Sequence, residues 1–511
     1  MTDRVSRRRF APVVAGLTLG VSALGLTVAG KLLAFGRDVV LSKYFGANSA
    51  TDALFIANTI PGILWAAILV TINVVFLPLY LARRMDSERA AGEFVNEALQ
   101  VYVLLALLMT TLCILGSGAI VHWTARGASA ETLVLAQNLT IIMALGFVFS
   151  GYVGVQNAIQ QATGHYKAPL AVPIVNNALA IAGVIAGAWF HDIRIAVIAA
   201  VGAWVIQAPL QRLQTRAFYP TVWKVSVSRQ NLSRLALLSA PVMLGTFLDQ
   251  VNIYIGIYLA GDMGAGAISH LNYASRLAMF LATTFSMLVS YFLFPRLAAD
   301  ATLADDRRTG RTLALGVLLI VVATLPPTVV SVMLRHDVVS LVYGRGALSP
   351  ADLSATATAY AYFALGIVFI AVREIFNRLF FSHQRMVAPL MIGIVASLAN
   401  YLVSRWLGAT MGTAGVALGA SVAGVVYLAG QVLVAFVWKP GLFNRALVLE
   451  LGALVLAAVP AWWLLARVLP AMADWALLAR LFAGGGLFTA VFLLVLAPLV
   501  WFGGFRRWLA D

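Results

Sequence analysis

Long apolar runs alternate with short polar or charged segments along the whole chain, and no loop is long enough to form a catalytic domain. A helix of about 20 apolar residues crosses the roughly 30 Å hydrocarbon core of a bilayer. The pattern therefore predicts an all-α polytopic membrane protein with about fourteen transmembrane helices. The predicted spans are 11–43, 52–81, 91–121, 132–160, 168–190, 195–218, 232–260, 266–295, 309–334, 353–381, 386–408, 412–437, 447–469 and 479–503.

Composition and charge support this class and limit the partners. The 511 residues are 61% hydrophobic and 11% charged, whereas soluble proteins carry about 25% charged residues. The net charge is +15, but most Lys and Arg fall in short loops on one side of the predicted membrane. We interpret the excess of Lys and Arg on that side as a topology signal that places both termini in the cytoplasm. The same positive charge is expected to attract anionic membrane lipids. No nucleic-acid partner is expected.

A weak internal repeat divides the chain. Matching residues recur about 220 positions apart: Pro78 with Pro295, Asn157 with Asn377, and Pro169 with Pro389. The repeat predicts two pseudo-symmetric lobes of about six helices each, followed by two C-terminal helices, with boundaries at 1–230, 231–440 and 441–511. Parallel lobes of this kind are typical of transporters that work by alternating access. Chance similarity between apolar segments is the alternative explanation.

Three charged residues, Lys31, Arg37 and Asp38, lie inside the first predicted span. A charge near the bilayer centre costs roughly 2.5–3.5 kcal/mol, so we expect these charges to be used. We predict that Lys31 and Arg37 face a wet cavity that holds an anionic substrate, while Asp38 pairs with and orients a cation. The alternative is a structural or snorkelling ion pair.

Further charges occur in other spans. Arg276 has no acidic neighbour in sequence, so it needs a partner from another helix or a ligand. Arg373 and Glu374 are adjacent and are interpreted as a gating or locally neutralising pair. Asp52 stands at the start of span 2, where it serves gating, a helix N-cap, or both.

Signatures of enzymes are missing from the sequence. There is no Gly-rich loop ending in Gly-Lys-Ser/Thr, so ATP hydrolysis is not expected. The six histidines lack metal-ligand spacing and Cys113 is the only cysteine, so no firm metal site and no cofactor are predicted. We expect coupling to Na⁺, H⁺ or the membrane potential. Asp249 and Asn400 are the candidate coupling residues, with a hydrogen-bonded structural Asp as the alternative.

Four motifs stand out along the chain: FGRD at 35–38, FGANSATDA at 45–53, Pro61 followed by FLP at 76–78, and YASRL at 273–277. Together they resemble the MurJ/MviN family of lipid II flippases, within the superfamily of multidrug and polysaccharide-lipid exporters, where the last motif is typically Tyr-Ala-Asp-Arg-Leu. The resemblance covers essentially the full length, including the number of spans.

The resemblance implies transport of an undecaprenyl-diphosphate-linked saccharide, foremost lipid II for peptidoglycan synthesis, to the outer leaflet of the bacterial inner membrane. By position, Arg37 and Arg276 match family cavity arginines that would meet the diphosphate, and Lys31 stands where an arginine is common. Asp38 and Asp52 match acidic positions of the family. Spans 13 and 14 would form the groove for the lipid tail. We expect a monomer.

Departures from the family keep other cargoes open. Where the family typically has one or two arginines after Pro61, this chain has Leu64, Trp65 and Ala66, and Ser275 replaces the Asp before Arg276. These changes remove charge near the expected diphosphate and sugar site. They favour an exopolysaccharide or O-antigen unit on the same carrier as the second candidate cargo. Trp65 would suit sugar stacking, although a lipid-facing or interfacial ring is the expected alternative.

Two more distant functions are weighed against the flippase. A multidrug or cation antiporter shares the superfamily fold but would need an acidic, aromatic-rich cavity, which the cations Lys31, Arg37 and Arg276 do not provide. A non-transporting membrane scaffold would give no reason to keep charges inside spans.

Overall fold

The computed structural model of the protein describes residues 2–219, 229–302, 306–383, 385, 387–443 and 445–503, and within these ranges the regular structure is helical. The helices are α1 Thr2–Phe45, α2 Ser49–Thr71, α3 Leu77–Asp86, α4 Glu88–Leu115, α5 Ser117–Thr124, α6 Ala130–Ala144, α7 Phe147–Ala162, α8 Lys167–Trp189, α9 Arg194–Thr215, α10 Arg229–Ala260, α11 Ala267–Thr302, α12 Asp306–Met333, α13 Arg335–Tyr343, α14 Pro350–Leu365, α15 Ile367–Ser382, α16 Val387–Met411, α17 Thr413–Trp438, α18 Arg445–Val468 and α19 Leu477–Gly503.

The predicted fold class, an all-α polytopic membrane protein, is confirmed. Among the described residues, 11 helical segments are long and apolar enough to cross a membrane. Three further long helices, α1, α10 and α11, coincide with predicted spans 1, 7 and 8. The helices are therefore consistent with the predicted count of about fourteen spans.

The chain divides into two compact units. Unit 1 comprises Met1–Phe45 and Ser49–Gln250, and unit 2 comprises Gly46–Asn48 and Val251–Asp511. The two C-terminal helices α18 and α19 belong to unit 2, where Leu454, Phe488 and Phe492 join the same buried apolar cluster as residues of α12 and α15.

Among the described residues, both units contain a span that is broken near its middle. In unit 1 the break between α6 and α7 lies at Gly146, where a Cβ atom would stand 2.8 Å from Cζ2 of Trp65. In unit 2 the break between α14 and α15 lies at Gly366, where a Cβ atom would stand 2.9 Å from Oγ of Ser421. Glycine is needed at both breaks because a neighbouring helix packs against the backbone there. The two breaks are about 220 positions apart, as the sequence repeat is.

Unit 2 also holds the short turn Gly46–Asn48, although the helices on both sides of this turn belong to unit 1. The Tyr273 hydroxyl donates to the Gly46 carbonyl at 2.9 Å, and the Tyr343 hydroxyl donates to the Tyr273 carbonyl at 3.2 Å. Gly46 has φ +69°, and a Cβ atom there would lie 2.8 Å from the Ala347 carbonyl oxygen. Only glycine tolerates both the left-handed backbone and this close approach.

Candidate functional site

In unit 1, Arg37 and Asp38 form an ion pair within α1. Nε and Nη2 of Arg37 donate to Oδ1 of Asp38 at 3.2 and 3.0 Å. The Asp38 side chain is 9% exposed and that of Arg37 is 35% exposed. Asp38 therefore holds one edge of the Arg37 guanidinium. The other three of the five N–H groups of Arg37 have no hydrogen-bond partner among the described residues. An arginine held in this way can still offer its fork to a phosphate.

Lys31 lies two turns before Asp38 on the same helix. It is partly buried, and in the part of the chain that the structure describes it forms no ion pair or hydrogen bond. The preceding Gly30 packs against α8, since a Cβ atom there would be 3.4 Å from Cβ of Pro173. The ammonium group thus remains a cation within unit 1 to which no described carboxylate is paired.

The expectation that Asp52 caps α2 is wrong. The helix begins at Ser49, three residues earlier, so Asp52 lies within the first turn. Its side chain is buried in unit 1, with the residue 4% exposed. A carboxylate in the first turn is still favoured by the positive end of the helix dipole. A gating role for Asp52 remains a prediction.

In unit 2, Arg276 is half-buried on α11. Its neighbours Tyr273, Ala274 and Leu277 are buried, which anchors this stretch of the helix in the unit. Ser275, which stands where the family has Asp, donates from its hydroxyl to the Asn272 carbonyl at 3.0 Å. It therefore brings no negative charge next to Arg276.

Arg373 and Glu374 belong to a polar network in unit 2. Their charged groups are 3.7 Å apart, which is an ion-pair distance but too long for a hydrogen bond. The Arg373 guanidinium also lies 4.9 Å from the ring centre of Tyr427. Glu374 accepts from Asn377 at 3.2 Å, and Asn377 in turn accepts from Gln431 at 2.7 Å. The predicted local pairing thus extends across α15 and α17.

The candidate coupling residue Asn400 is 2% exposed, and both polar atoms of its side chain form hydrogen bonds. Its Nδ2 donates to Asn252 Oδ1 at 2.9 Å, and its Oδ1 accepts from the Ser404 hydroxyl at 2.8 Å. The other candidate, Asp249, lies on α10, but its side chain is outside the described part of the structure. Among the described residues, no group of three His, Cys, Asp or Glu could hold a metal ion.

Trp65 packs inside unit 1. Its ring meets Phe147 edge-on at 6.0 Å and Trp204 at 6.2 Å. Trp65 is half-buried in this aromatic cluster. Its sugar-stacking role and the lipid-facing alternative both stay predictions.

A ladder of hydrogen-bonded polar side chains joins α7 to α9 and its C-terminal end, and the sequence analysis did not predict it. Gln156 Nε2 donates to the Tyr219 hydroxyl at 2.6 Å, and the Thr215 hydroxyl donates to Gln156 Oε1 at 2.5 Å. Gln160 donates to Gln211 one turn further along. Gln156 and Gln160 on α7 are four positions apart, as are Gln211 and Thr215 on α9, and this spacing was the available signal because it places each pair on one helix face. The ladder holds these helices in register within unit 1.

This chain is similar in sequence to a known protein family. The model of the family described as "Lipid II flippase MurJ" matches residues 41–483. A "Probable lipid II flippase MurJ" of Thermotoga maritima is 25% identical over 432 residues, which are 83% of this chain and 85% of that protein. A "Lipid II flippase MurJ" of Burkholderia cenocepacia is 22% identical over 456 residues, covering 86% and 88% of the two chains.

Solved structures show the same fold. A lipid II flippase MurJ in an inward closed conformation superposes with a TM-score of 0.79 at 19% identity, covering 93% of this chain and 100% of that one. An inward-facing multidrug transporter of the MATE family superposes with a TM-score of 0.69 at 13% identity, covering 82% and 97%. Both fold neighbours are membrane transporters by description.

Proposed function

Because this chain belongs to the MurJ family of lipid II flippases, we propose that it carries lipid II from the cytoplasmic to the periplasmic leaflet of a bacterial inner membrane. The observation that carries this proposal is the family match over residues 41–483, which spans both units. The protein is a multi-pass membrane transporter, and its cargo is lipid-linked. We further propose that it acts as a monomer with both termini in the cytoplasm.

The charges on the helices support an anionic cargo. Unit 1 supplies Arg37 and Lys31, and unit 2 supplies Arg276. The planar fork of an arginine binds a phosphate group through two parallel N–H groups, while a lysine acts as a point charge. We assign Arg37, Arg276 and Lys31 to the diphosphate of the cargo. Asp38, Asp52 and the Arg373–Glu374 pair would tune the gates, Asp38 by fixing the orientation of Arg37.

The direct test is native mass spectrometry of the purified full-length protein. Lipid II, undecaprenyl diphosphate carrying an unrelated oligosaccharide, and undecaprenyl diphosphate alone are titrated separately. Preferential binding of lipid II supports the proposal. Preference for the unrelated oligosaccharide would move the protein to the second candidate, the export of another saccharide on the same carrier. That candidate draws support from Leu64, Trp65, Ala66 and Ser275, which leave this chain with fewer charges than the family. Binding of none of the three lipids would overturn both.

We also propose that transport is coupled to an ion gradient or the membrane potential through Asp249, with Asn400 as a second participant. Support comes from Asn400, whose hydrogen bonds bring the side-chain oxygens of Asn252, Asn400 and Ser404 close together in unit 2. These uncharged oxygens are suitable ligands for Na⁺. An ionisable carboxylate within a span is retained at a cost, so it is a functional candidate by default.

Coupling is measured as lipid II flipping in proteoliposomes under a Na⁺ gradient, a pH gradient or a potential, each imposed alone. We expect one of the three to accelerate flipping, and Asp249→Asn to remove that acceleration. Asp262→Asn is the matched control, because Asp262 is exposed between α10 and α11. If Asp249→Asn keeps the full response, Asp249 is not the coupling residue.

A further inference from the structure

Trp438, at the end of α17, is surrounded by cationic side chains. The Arg385 guanidinium lies 4.4 Å from the ring centre and Lys439 Nζ lies 5.1 Å from it. The His383 ring meets the indole edge-on at 5.0 Å, and Phe380 stacks on it at 6.2 Å. Two cations over one indole are each attracted by the ring quadrupole. We refer to Trp438, Arg385, Lys439 and His383 as the Trp438 cluster.

The start of α12 fixes the position of Lys439. A short 3₁₀ turn, Pro440–Leu442, follows Lys439 and packs against this helix. The approach is close, because a Cβ atom on Gly310 would stand 2.7 Å from the Leu442 carbonyl oxygen. Lys439 Nζ is thereby brought to 2.5 Å from Asp306 Oδ1. The cluster is therefore held by three elements, α12, α15 and α17 with its turn.

The charge of the Trp438 cluster is only partly compensated. Asp306 offsets Lys439, whereas Arg385 is exposed and has no carboxylate partner among the described residues. His383 Nδ1 lies 3.1 Å from the Leu379 carbonyl and can only donate to it, which leaves Nε2 to accept from Lys439 Nζ at 3.4 Å. Asp306 offsets one of the two cations, Lys439 and Arg385, so one positive charge and the N–H donors of Arg385 are left over.

Large apolar side chains are exposed on the same two helices. Phe436 and Val437 precede Trp438 and are 51% and 73% exposed, and Phe381 on α15 is 42% exposed. On a membrane helix such residues face acyl chains. The predicted topology puts these helix ends at the membrane face that carries most of the Lys and Arg. The exposed apolar side chains of Phe436 and Val437 therefore lie next to the basic and aromatic side chains of the Trp438 cluster.

We propose that the Trp438 cluster binds the phosphate of an anionic glycerophospholipid whose acyl chains lie along Phe436 and Val437. Stacking on the indole orients the Arg385 guanidinium so that its N–H edge donates two parallel hydrogen bonds to a phosphate. Basic pockets between helices at the cytoplasmic side recognise anionic headgroups in this way. None of its residues is among the cations assigned to the cargo, and the site goes beyond the proposed transport function.

The test uses the purified full-length protein in detergent, titrated by native mass spectrometry with phosphatidylglycerol or phosphatidylcholine of identical acyl chains. We expect phosphatidylglycerol to bind more tightly, and Arg385→Gln to weaken it about fivefold, as expected for one cation near a lipid surface. Phosphatidylcholine binding should not change. Arg405→Gln is the matched control, since Arg405 is an exposed cation at the opposite end of the predicted spans.

Thermal unfolding gives a second readout. Phosphatidylglycerol should raise the Tm of the parent protein and of Arg405→Gln more than that of Arg385→Gln. Equal binding of the two phospholipids, or an equal loss in both variants, would overturn the proposal. So would undecaprenyl diphosphate, if it competes with phosphatidylglycerol and loses affinity in Arg385→Gln, because the cluster would then belong to the cargo.

Discussion

Replacing Arg37 with alanine is expected to weaken lipid II binding about 10- to 100-fold. A hydrogen bond to a charged group contributes about 1.5–3 kcal/mol, and the three N–H groups of Arg37 that Asp38 does not use are available to the diphosphate. The alanine variant also removes the Arg37 cation from beside Asp38, whose side chain is 9% exposed, and so leaves less positive charge next to an anionic ligand. Native mass spectrometry with lipid II measures the affinity, and flipping in proteoliposomes measures its consequence.

Three further variants separate binding from structure. Arg37→Lys keeps the charge but not the planar fork, so we expect an intermediate loss. Arg405→Ala removes an exposed arginine elsewhere and should change little. The double variant Arg37→Ala/Asp38→Ala removes both members of the ion pair. If the double variant binds lipid II as the parent does, Arg37 serves only to neutralise Asp38, and its assignment to the diphosphate fails.

Arg276 offers the matching test in unit 2. Arg276→Ala should weaken lipid II binding by a similar factor, because it removes a second arginine of the proposed set. Loss in Arg37→Ala without loss in Arg276→Ala would confine the diphosphate contacts to unit 1.

The spans could be predicted because the length of an apolar run is a local property of the sequence. The breaks at Gly146 and Gly366 could not, since each lies inside an apolar run. At these two glycines, Trp65 or Ser421 approaches to within 3 Å of the place that a Cβ atom would occupy. That approach depends on residues that are distant in sequence, and it becomes visible only when the helices pack.

The candidate site shows the same division between local and distant contacts. The Arg37–Asp38 pair follows from adjacency on one helix, so the sequence indicated both partners. The Asn400–Asn252 hydrogen bond joins residues 148 positions apart, and no periodicity reveals it. Asp52 illustrates a third case, because the start of a helix differs by a few residues from the start of its apolar run.

Breaking the ion pair between Arg480 and Asp337 is expected to have the largest effect on stability. Arg480, on α19, donates from Nη2 to Asp337 Oδ1 on α13 and from Nη1 to the Ala473 carbonyl at 2.9 Å. The two side chains are 24% and 12% exposed. Arg480→Leu would leave the carboxylate of Asp337 without its cation in a mostly buried position. Removing one partner of such a pair costs about 3 kcal/mol, so we expect a clear decrease in Tm by differential scanning fluorimetry.

Controls show whether the pair itself is responsible. Arg467→Leu removes a cation that stacks on Trp463 at 5.1 Å on the neighbouring helix α18, a contact that contributes about 0.5–1 kcal/mol when exposed. Its Tm should fall much less than that of Arg480→Leu. The double variant Arg480→Leu/Asp337→Leu should regain most of the loss, because apolar groups of similar size can replace a buried ion pair. If the double variant is no more stable than Arg480→Leu, the unpaired carboxylate is not the cause. The loss would then be assigned to the hydrogen bond that Arg480 donates to the Ala473 carbonyl, just before α19.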